Sequence, residues 1–284
     1  MSVRFKMGLL HRQGKAFSLI DDIYTQHGTN EIIELFNSAQ IFSFPKPSKF
    51  IQRLIQIGLN GENDGVILDF FSGSSASAQA VMDLNAKSNS KNRFIMVQLP
   101  ERCDEKSDAY KAGYETIADI GKERIRRAGE KIKAENASND NVKNLDIGFK
   151  VFKLDSSNIK PWDTDVDNME QGLFDSVDNI KNDRTAEDVL YELLLKYGID
   201  LTIPIETHTI DDKTVYSVGL GALVICLDDI ITLDVIEGIG KLKEQLQPEV
   251  MHIVLKDAGL KDDVVKTNAI QILKRYDIQD VKTL

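Results

Sequence analysis

A chain of 284 residues with 42% hydrophobic content carries enough apolar material for a substantial core and for two folded units. Its net charge of −10 argues against a surface built to coat nucleic acid, since phosphate neutralisation demands positive charge. No apolar run nears the roughly 18 residues that span a bilayer, the start Met1-Ser-Val-Arg-Phe-Lys6 lacks a signal-peptide core, and Cys103 and Cys226 stand far apart, so the chain reads as soluble, cytoplasmic and free of disulfide or metal sites, with two buried thiols.

Residues 1–40 read as a leader, the end of an upstream region, with a short helix from Glu31 to Asn37. In Phe44-Pro-Lys-Pro-Ser48 the prolines fix an extended lead-in and disfavour helix at the residue before each. Ser48 then reads as the N-cap of a helix with the apolar stripe Phe50, Ile51, Leu54 and Ile55. Val66-Ile-Leu68 has the length and branching of a buried strand. It runs into Asp69-Phe-Phe-Ser-Gly-Ser-Ser75 and an Ala-rich helix carrying Ala76, Ala78, Ala80, Val81 and Leu84. Strand, small-residue turn and helix are how an open parallel sheet presents backbone N–H groups to a ligand at the carboxyl edge of its first strand. The plain alternative is an ordinary βα turn.

Arg93 to Val97 reads as a second strand that ends in Gln98-Leu-Pro-Glu101. An acidic side chain at such a tip usually accepts ribose hydroxyls. Here Gln98 holds that place, with about 0.5–1.5 kcal/mol for a neutral acceptor against about 1.5–3 for a charged one, and Glu101 is the alternative acceptor. Ile117, Ile120, Ile125, Ala128 and Ile132 keep helical spacing through Lys133. Lys122, Arg124, Arg126, Arg127, Lys131 and Lys133 crowd that helix against Asp119, Glu123 and Glu130, and read as a solvated face in preference to a phosphate-binding one. Phe149 to Leu154 reads as a third strand. The Asn-, Asp- and Ser-rich runs 134–146 and 155–184 read as loops or linkers, with Trp162, the only tryptophan, as the anchor of the second.

The last hundred residues read as an α/β unit. A helix opens at Thr185-x-x-Asp188 and stops at Gly198, strands follow at Val215 to Val218 and Ala222 to Leu227, then a helix from Leu233 to Leu246. A strand from His252 to Lys256 and a helix from Asp262 to Arg275 complete it. From residue 181 onward 19 Asp/Glu face 12 Lys/Arg, so most of the acidic excess lies here and points to protein contact, not DNA. His11, His27, His208 and His252 are scattered and read as core or surface residues.

The Asp69 turn resembles the Asp-x-Phe-x-Gly-x-Gly loop of S-adenosylmethionine-dependent methyltransferases, with Ser75 at the second glycine. If that position needs a positive φ, serine costs on the order of 1 kcal/mol there. The Pro-Lys-Pro step about twenty residues upstream resembles the cofactor motif that precedes this loop in amino-methyltransferases of permuted order. Gly28 to Phe36, the Phe-Pro-Lys-Pro helix, Asp69 to Ser74 and Phe94 to Glu101 together resemble the modification (Mod) subunit of type III restriction–modification systems, an adenine-N6-specific DNA methyltransferase of permuted (β-type) motif order. Similarity continues through Tyr114 to Ala128, Asp188 to Lys196 and Lys266 to Lys274.

The resemblance implies an α/β chain: a partial Rossmann-like S-adenosylmethionine-dependent methyltransferase sheet, followed by a smaller α/β C-terminal domain for structural or subunit contact. The segments are 1–40, 41–155 for the cofactor part, 156–184 as linker and 185–284. It implies S-adenosylmethionine held by Phe44, Lys46, Pro47, Asp69, Phe70, Phe71, Ser72, Gly73, Ser74, Gln98 and Glu101. The family's transfer step uses an Asp/Asn-Pro-Pro-aromatic loop that accepts the N6 hydrogens and stacks on the flipped base. The six prolines (45, 47, 100, 161, 204 and 248) include no adjacent pair. The chain therefore reads as the C-terminal half of such an enzyme, with no catalytic residue and no activity alone. Implied partners are DNA through the missing recognition region, the restriction subunit and a second Mod copy, with no membrane. The alternative is a non-catalytic interaction module that docks to other restriction–modification subunits. A nicotinamide-binding Rossmann protein fits less well, since the turn lacks Gly-x-Gly-x-x-Gly.

Overall fold

The computed structural model describes residues 20–137, 140–160 and 179–284, so Trp162, His11 and the leader before residue 20 lie outside the described residues. The chain divides into two units between Phe149 and Lys150. The first runs α1 (Thr25–Phe36), a 3-10 turn, α2 (Ser48–Leu59), β1 (Val66–Asp69), α3 (Ala76–Ser88), β2 (Arg93–Met96), α4 (Asp108–Lys111), α5 (Ile117–Glu135) and α6 (Asp140–Lys143). β1 and β2 pair in parallel from Val66 opposite Arg93 to Asp69 opposite Met96, and α3 makes the crossover. That helix is buried nearly all round, and its run of Ala76, Ala78, Ala80 and Ala86 lets α2 and α5 both pack against it. Ile32, Phe36, Met82, Ile120, Ile125 and Ile132 form the main core of this unit. Ile55, Val81 and Leu84 form a smaller one, packed by Ile67 and Phe94 from the inner face of the sheet.

Three expectations are corrected here. The N-cap of α2 is Pro47, and Ser48 is the first helical residue; its N–H and hydroxyl go to the Glu31 carboxylate at 3.0 and 2.8 Å. Leu54 is exposed, and Gln52 takes a buried place on the stripe because its amide donates to Asp83 at 2.9 Å and accepts from Lys87 at 3.0 Å. Phe149 to Leu154 forms no ladder, since β2 pairs with β1 alone among the described residues. Helix α1 also begins six residues before Glu31, where Gly28, Thr29 and Asn30 mask it from a propensity argument.

Burial raises the Asp83 pKa to about 6, opposed by Lys87 and assisted by Glu31. A carboxyl whose folded pKa lies above its unfolded value costs stability as pH rises through that window, from about 4 to about 6. Asp83→Asn is therefore expected to stabilise the first unit by about 1–2 kcal/mol at pH 8, with the gain vanishing near pH 4. Thermal melts of both proteins at the two pH values test this, and a gain that is equal at both would refute it.

The second unit runs α7 (Ala186–Lys196), β3 (Ile205–Ile210), β4 (Lys213–Val218), β5 (Leu223–Cys226), α8 (Leu233–Leu246), β6 (His252–Leu255), α9 (Asp263–Arg275) and β7 (Asp280–Thr283). Its sheet has the order β3-β4-β5-β6-β7, antiparallel through β5 and parallel from there on, with α8 and α9 as the crossovers. Residues alternate along β5: Val224 and Cys226 pack with Ile236, Ile239 and Leu273 of α8 and α9, while Leu223 and Ile225 pack with Leu190 and Leu194 of α7. Thr185 and Asp188 close a reciprocal cap with aspartate in place of the usual Glu or Gln. Cys226 is buried, but Cys103 is only partly so, which corrects the expectation of two buried thiols; both are free.

Candidate functional site

Every loop amide expected to meet a ligand must first be accounted for. At the end of β1 the Asp69 carboxylate accepts the Phe71 N–H at 3.2 Å and the Ser77 hydroxyl at 2.5 Å, tying the turn to the start of α3. The Ser72 N–H donates to the Val97 carbonyl at 3.1 Å and the Ser75 N–H to the Ser72 carbonyl at 2.6 Å. The Gly73 N–H donates to Gln98 Oε1 at 2.8 Å. Four loop amides are thus satisfied inside the protein, contrary to the expectation that the turn presents them outward. Gly73 and Ser75 both take left-handed backbone, φ +50° and +58°. Serine thus stands where the resembling loops carry glycine, and in the conformation that favours glycine. Close approach of α5 rests on Gly121, where a Cβ would lie 2.6 Å from Ser75 Oγ and 3.1 Å from the Gly73 carbonyl.

What the turn offers outward is aromatic. Phe71 is 78% exposed and Phe70 is exposed beside it; Phe44, ahead of the Pro-Lys-Pro step, is 91% exposed. Phe44 also has φ +56°, uncommon for a bulky side chain. Strain of this kind concentrates at sites that bind or switch. Lys46 and Glu101 are exposed, while Pro47, Ser72 and Ser74 are buried. Gln98 is partly buried and its carboxamide is engaged at both ends, with Oε1 accepting from Gly73 and the amide nitrogen donating to the Leu99 carbonyl at 3.3 Å. Of the two acceptors weighed for a ribose, Glu101 is the one with an exposed side chain.

Sequence reasoning missed the residue that joins these segments. Arg124, expected on a solvated face, has no exposed surface. Its Nε donates to Gln79 Oε1 at 3.0 Å, Nη1 to Ser74 Oγ at 2.8 Å and Nη2 to Glu31 Oε2 at 2.7 Å. Burial pushes its pKa down, and the Glu31 charge opposes that shift. Removing one member of a buried pair of this sort typically costs about 3–5 kcal/mol. A signal was present: Arg124 falls four residues from both Ile120 and Ala128, on the apolar stripe. Among the other cations of α5, Lys122 pairs with Asp119 at 2.7 Å, Arg126 with Glu123 at 3.2 Å, and Lys131 with Glu34. Arg127 pairs with Glu123 at 2.7 Å and lies over the Phe36 ring at 4.8 Å. Among the described residues no cluster of His, Cys, Asp or Glu has the makings of a metal site, and no helix is long and apolar enough to cross a membrane.

The chain is related in sequence to the Mod subunits of type III restriction–modification enzymes. It is 37% identical to the StyLTI Mod subunit of Salmonella typhimurium over 45% of this chain and 19% of that protein. It is 37% identical to the EcoP15I Mod subunit of Escherichia coli over 63% of this chain and 25% of that one. With the EcoPI Mod subunit of Escherichia phage P1 the figures are 38%, 45% and 19%. The chain thus spans about a fifth to a quarter of the length of these relatives. No protein-family model matches it.

Proposed function

We propose that the first unit is the S-adenosylmethionine-binding part of a site-specific DNA (adenine-N6) methyltransferase of the type III Mod kind, inactive without the part that carries the catalytic loop. The observation that carries this reading is the pair of strained, aromatic-bearing segments, Phe44 to Ser48 and Asp69 to Ser75, held together at the carboxyl end of β1. The donor set suits the cofactor: Phe44, Phe70 and Phe71 offer apolar faces for an adenine, and Glu101 an anionic acceptor for ribose hydroxyls. Gly73 has Phe42 Cζ 3.2 Å from where a Cβ would stand, so the turn tolerates no side chain there without a shift. Bound S-adenosylmethionine would supply an electrophilic methyl group on a sulfonium; Asp69 and Gln98 keep the turn in shape.

A Rossmann-like sheet completed by further strands follows from the same reading. Val66, Leu68, Ile95 and Val97 share the outer face of the β1–β2 pair and are about half exposed, whereas parallel sheets are ordinarily covered on both faces. Strands and helices from the catalytic part would cover it, and the acidic second unit is assigned to contact with the restriction subunit or a second Mod copy. The four internally bonded loop amides favour a second reading, an interaction module in which the cofactor site is a relic. Calorimetric titration with S-adenosylmethionine separates the two. Saturable binding is expected, weakened at least about tenfold in Gly73→Val, which forces a β-branched residue into left-handed backbone. A flat titration of the folded parent would favour the module, and equal affinity in parent and variant would remove the Asp69 turn from the site.

A further inference from the structure

The two segments assigned to the cofactor meet on one charge pair, in which Arg124 is fully buried and Glu31 partly so. Glu31 of α1 accepts the Ser48 N–H and hydroxyl at the start of α2, just after Phe44-Pro-Lys-Pro. The same carboxylate takes Arg124 Nη2, whose guanidinium reaches Ser74 in the Asp69 turn and Gln79 in α3. Planar guanidinium is suited to this: three of its N–H groups reach three separate elements at fixed angles, which lysine cannot do. Glycine occupies the two positions where backbones press closest to this frame. A Cβ at Gly28 would lie 2.2 Å from the Pro45 carbonyl, and one at Gly121 2.6 Å from Ser75 Oγ.

We infer that Arg124 is a positioning residue, which with Glu31 locks the Phe44–Ser48 segment and the Asp69–Ser75 turn into one frame so that both present to the cofactor together. The inference rests on the cofactor reading above for its purpose, but the lock is testable without it. A lock predicts that loosening Arg124 is felt at residue 48, which Arg124 does not touch directly, through Glu31.

Amide hydrogen exchange on the whole chain without cofactor reads the lock, and S-adenosylmethionine titration reads its use. Arg124→Met combined with Glu31→Gln removes both charges, leaves no unpaired buried ion and keeps an acceptor for Ser48, so the unit stays folded. Arg124→Lys keeps the charge and loses the fork. Both are expected to speed exchange at the Ser48 and Ser75 amides at least about tenfold while the β1–β2 ladder amides keep their protection. Affinity for S-adenosylmethionine should fall by a similar factor in variants that melt at a lower temperature but still in one cooperative transition of the first unit. Parental exchange at both amides in the double variant would overturn the lock. Loosened amides with parental affinity would overturn the positioning role. A parent that binds no S-adenosylmethionine would sink the cofactor reading alone, leaving the lock to be decided by exchange.

Discussion

Replacing Gly28 with alanine is expected to destabilise the first unit by about 2–4 kcal/mol, although alanine is the better helix former by about 1 kcal/mol. Gly28 is buried inside α1, and a Cβ there would stand 2.2 Å from the Pro45 carbonyl oxygen, 2.9 Å from its carbon and 3.0 Å from the Lys46 carbonyl carbon. All three obstacles are backbone, held by two prolines, so no flexible side chain can swing aside. Relief must come from moving the Phe44–Ser48 segment away from α1, which stretches the Ser48 contacts to Glu31. Gly58→Ala in α2 is the control: nothing lies within 4 Å of its Cβ, and it should gain up to about 1 kcal/mol from propensity. Urea unfolding of the two variants should shift the first unit's midpoint in opposite directions. A stabilised Gly28→Ala would show that the close approach is not there.

Methyl transfer to DNA by this chain alone is expected to stay at background. Such a transfer needs the amine held in line with the methyl sulfonium, and orientation of that kind is worth a factor of at least about a thousand. It also needs acceptors for the amine's hydrogens, which an Asp/Asn-Pro-Pro-aromatic loop supplies in the resembling enzymes, and no two prolines of this chain are adjacent. The net charge of −10 separately predicts weak duplex binding that falls steeply with salt. Tritium transfer from labelled S-adenosylmethionine to mixed-sequence DNA measures the outcome. Adding a polypeptide that carries the proline-pair loop should raise it well above background. Robust transfer by the 284-residue chain alone would mean that other residues build the transfer site.

Elements whose amphipathic pattern matches their period were legible. The helix expected from Leu233 to Leu246 forms over those residues, and the spacing of Ile120, Ile125, Ala128 and Ile132 places α5 correctly. The edge strands of the five-stranded sheet were not. β3 reads Ile-Glu-Thr-His-Thr-Ile and β7 Asp-Val-Lys-Thr, polar because each has a ladder on one side only. The hairpin turn between β3 and β4 is Asp211-Asp212, both at positive φ, without the Asn-Gly that would have announced it. Site residues divide the same way. Asp69 and Gly73 stand out because strand, turn and helix surround them, and the structure gives both a role in the turn. Arg124 stayed hidden because a cation among five others on one helix reads as solvated, and its partners Glu31, Ser74 and Gln79 are 93, 50 and 45 residues away. Its place on the apolar stripe signals burial, but a partnership across such separations has no local signature.

The half-covered parallel pair β1–β2 also governs how the chain behaves in a concentrated solution. Its outer face sets Val66, Leu68, Ile95 and Val97 beside the exposed rings of Phe70 and Phe71, an apolar patch of the kind that sticks to its own copies. What holds copies apart is like-charge repulsion from the surplus of ten negative charges, which reaches only about 8 Å at physiological ionic strength. Colloidal stability therefore depends on ionic strength: added salt screens the repulsion and leaves the apolar attraction in place. Dilute buffer is expected to keep copies apart, and added salt to bring them together through that face.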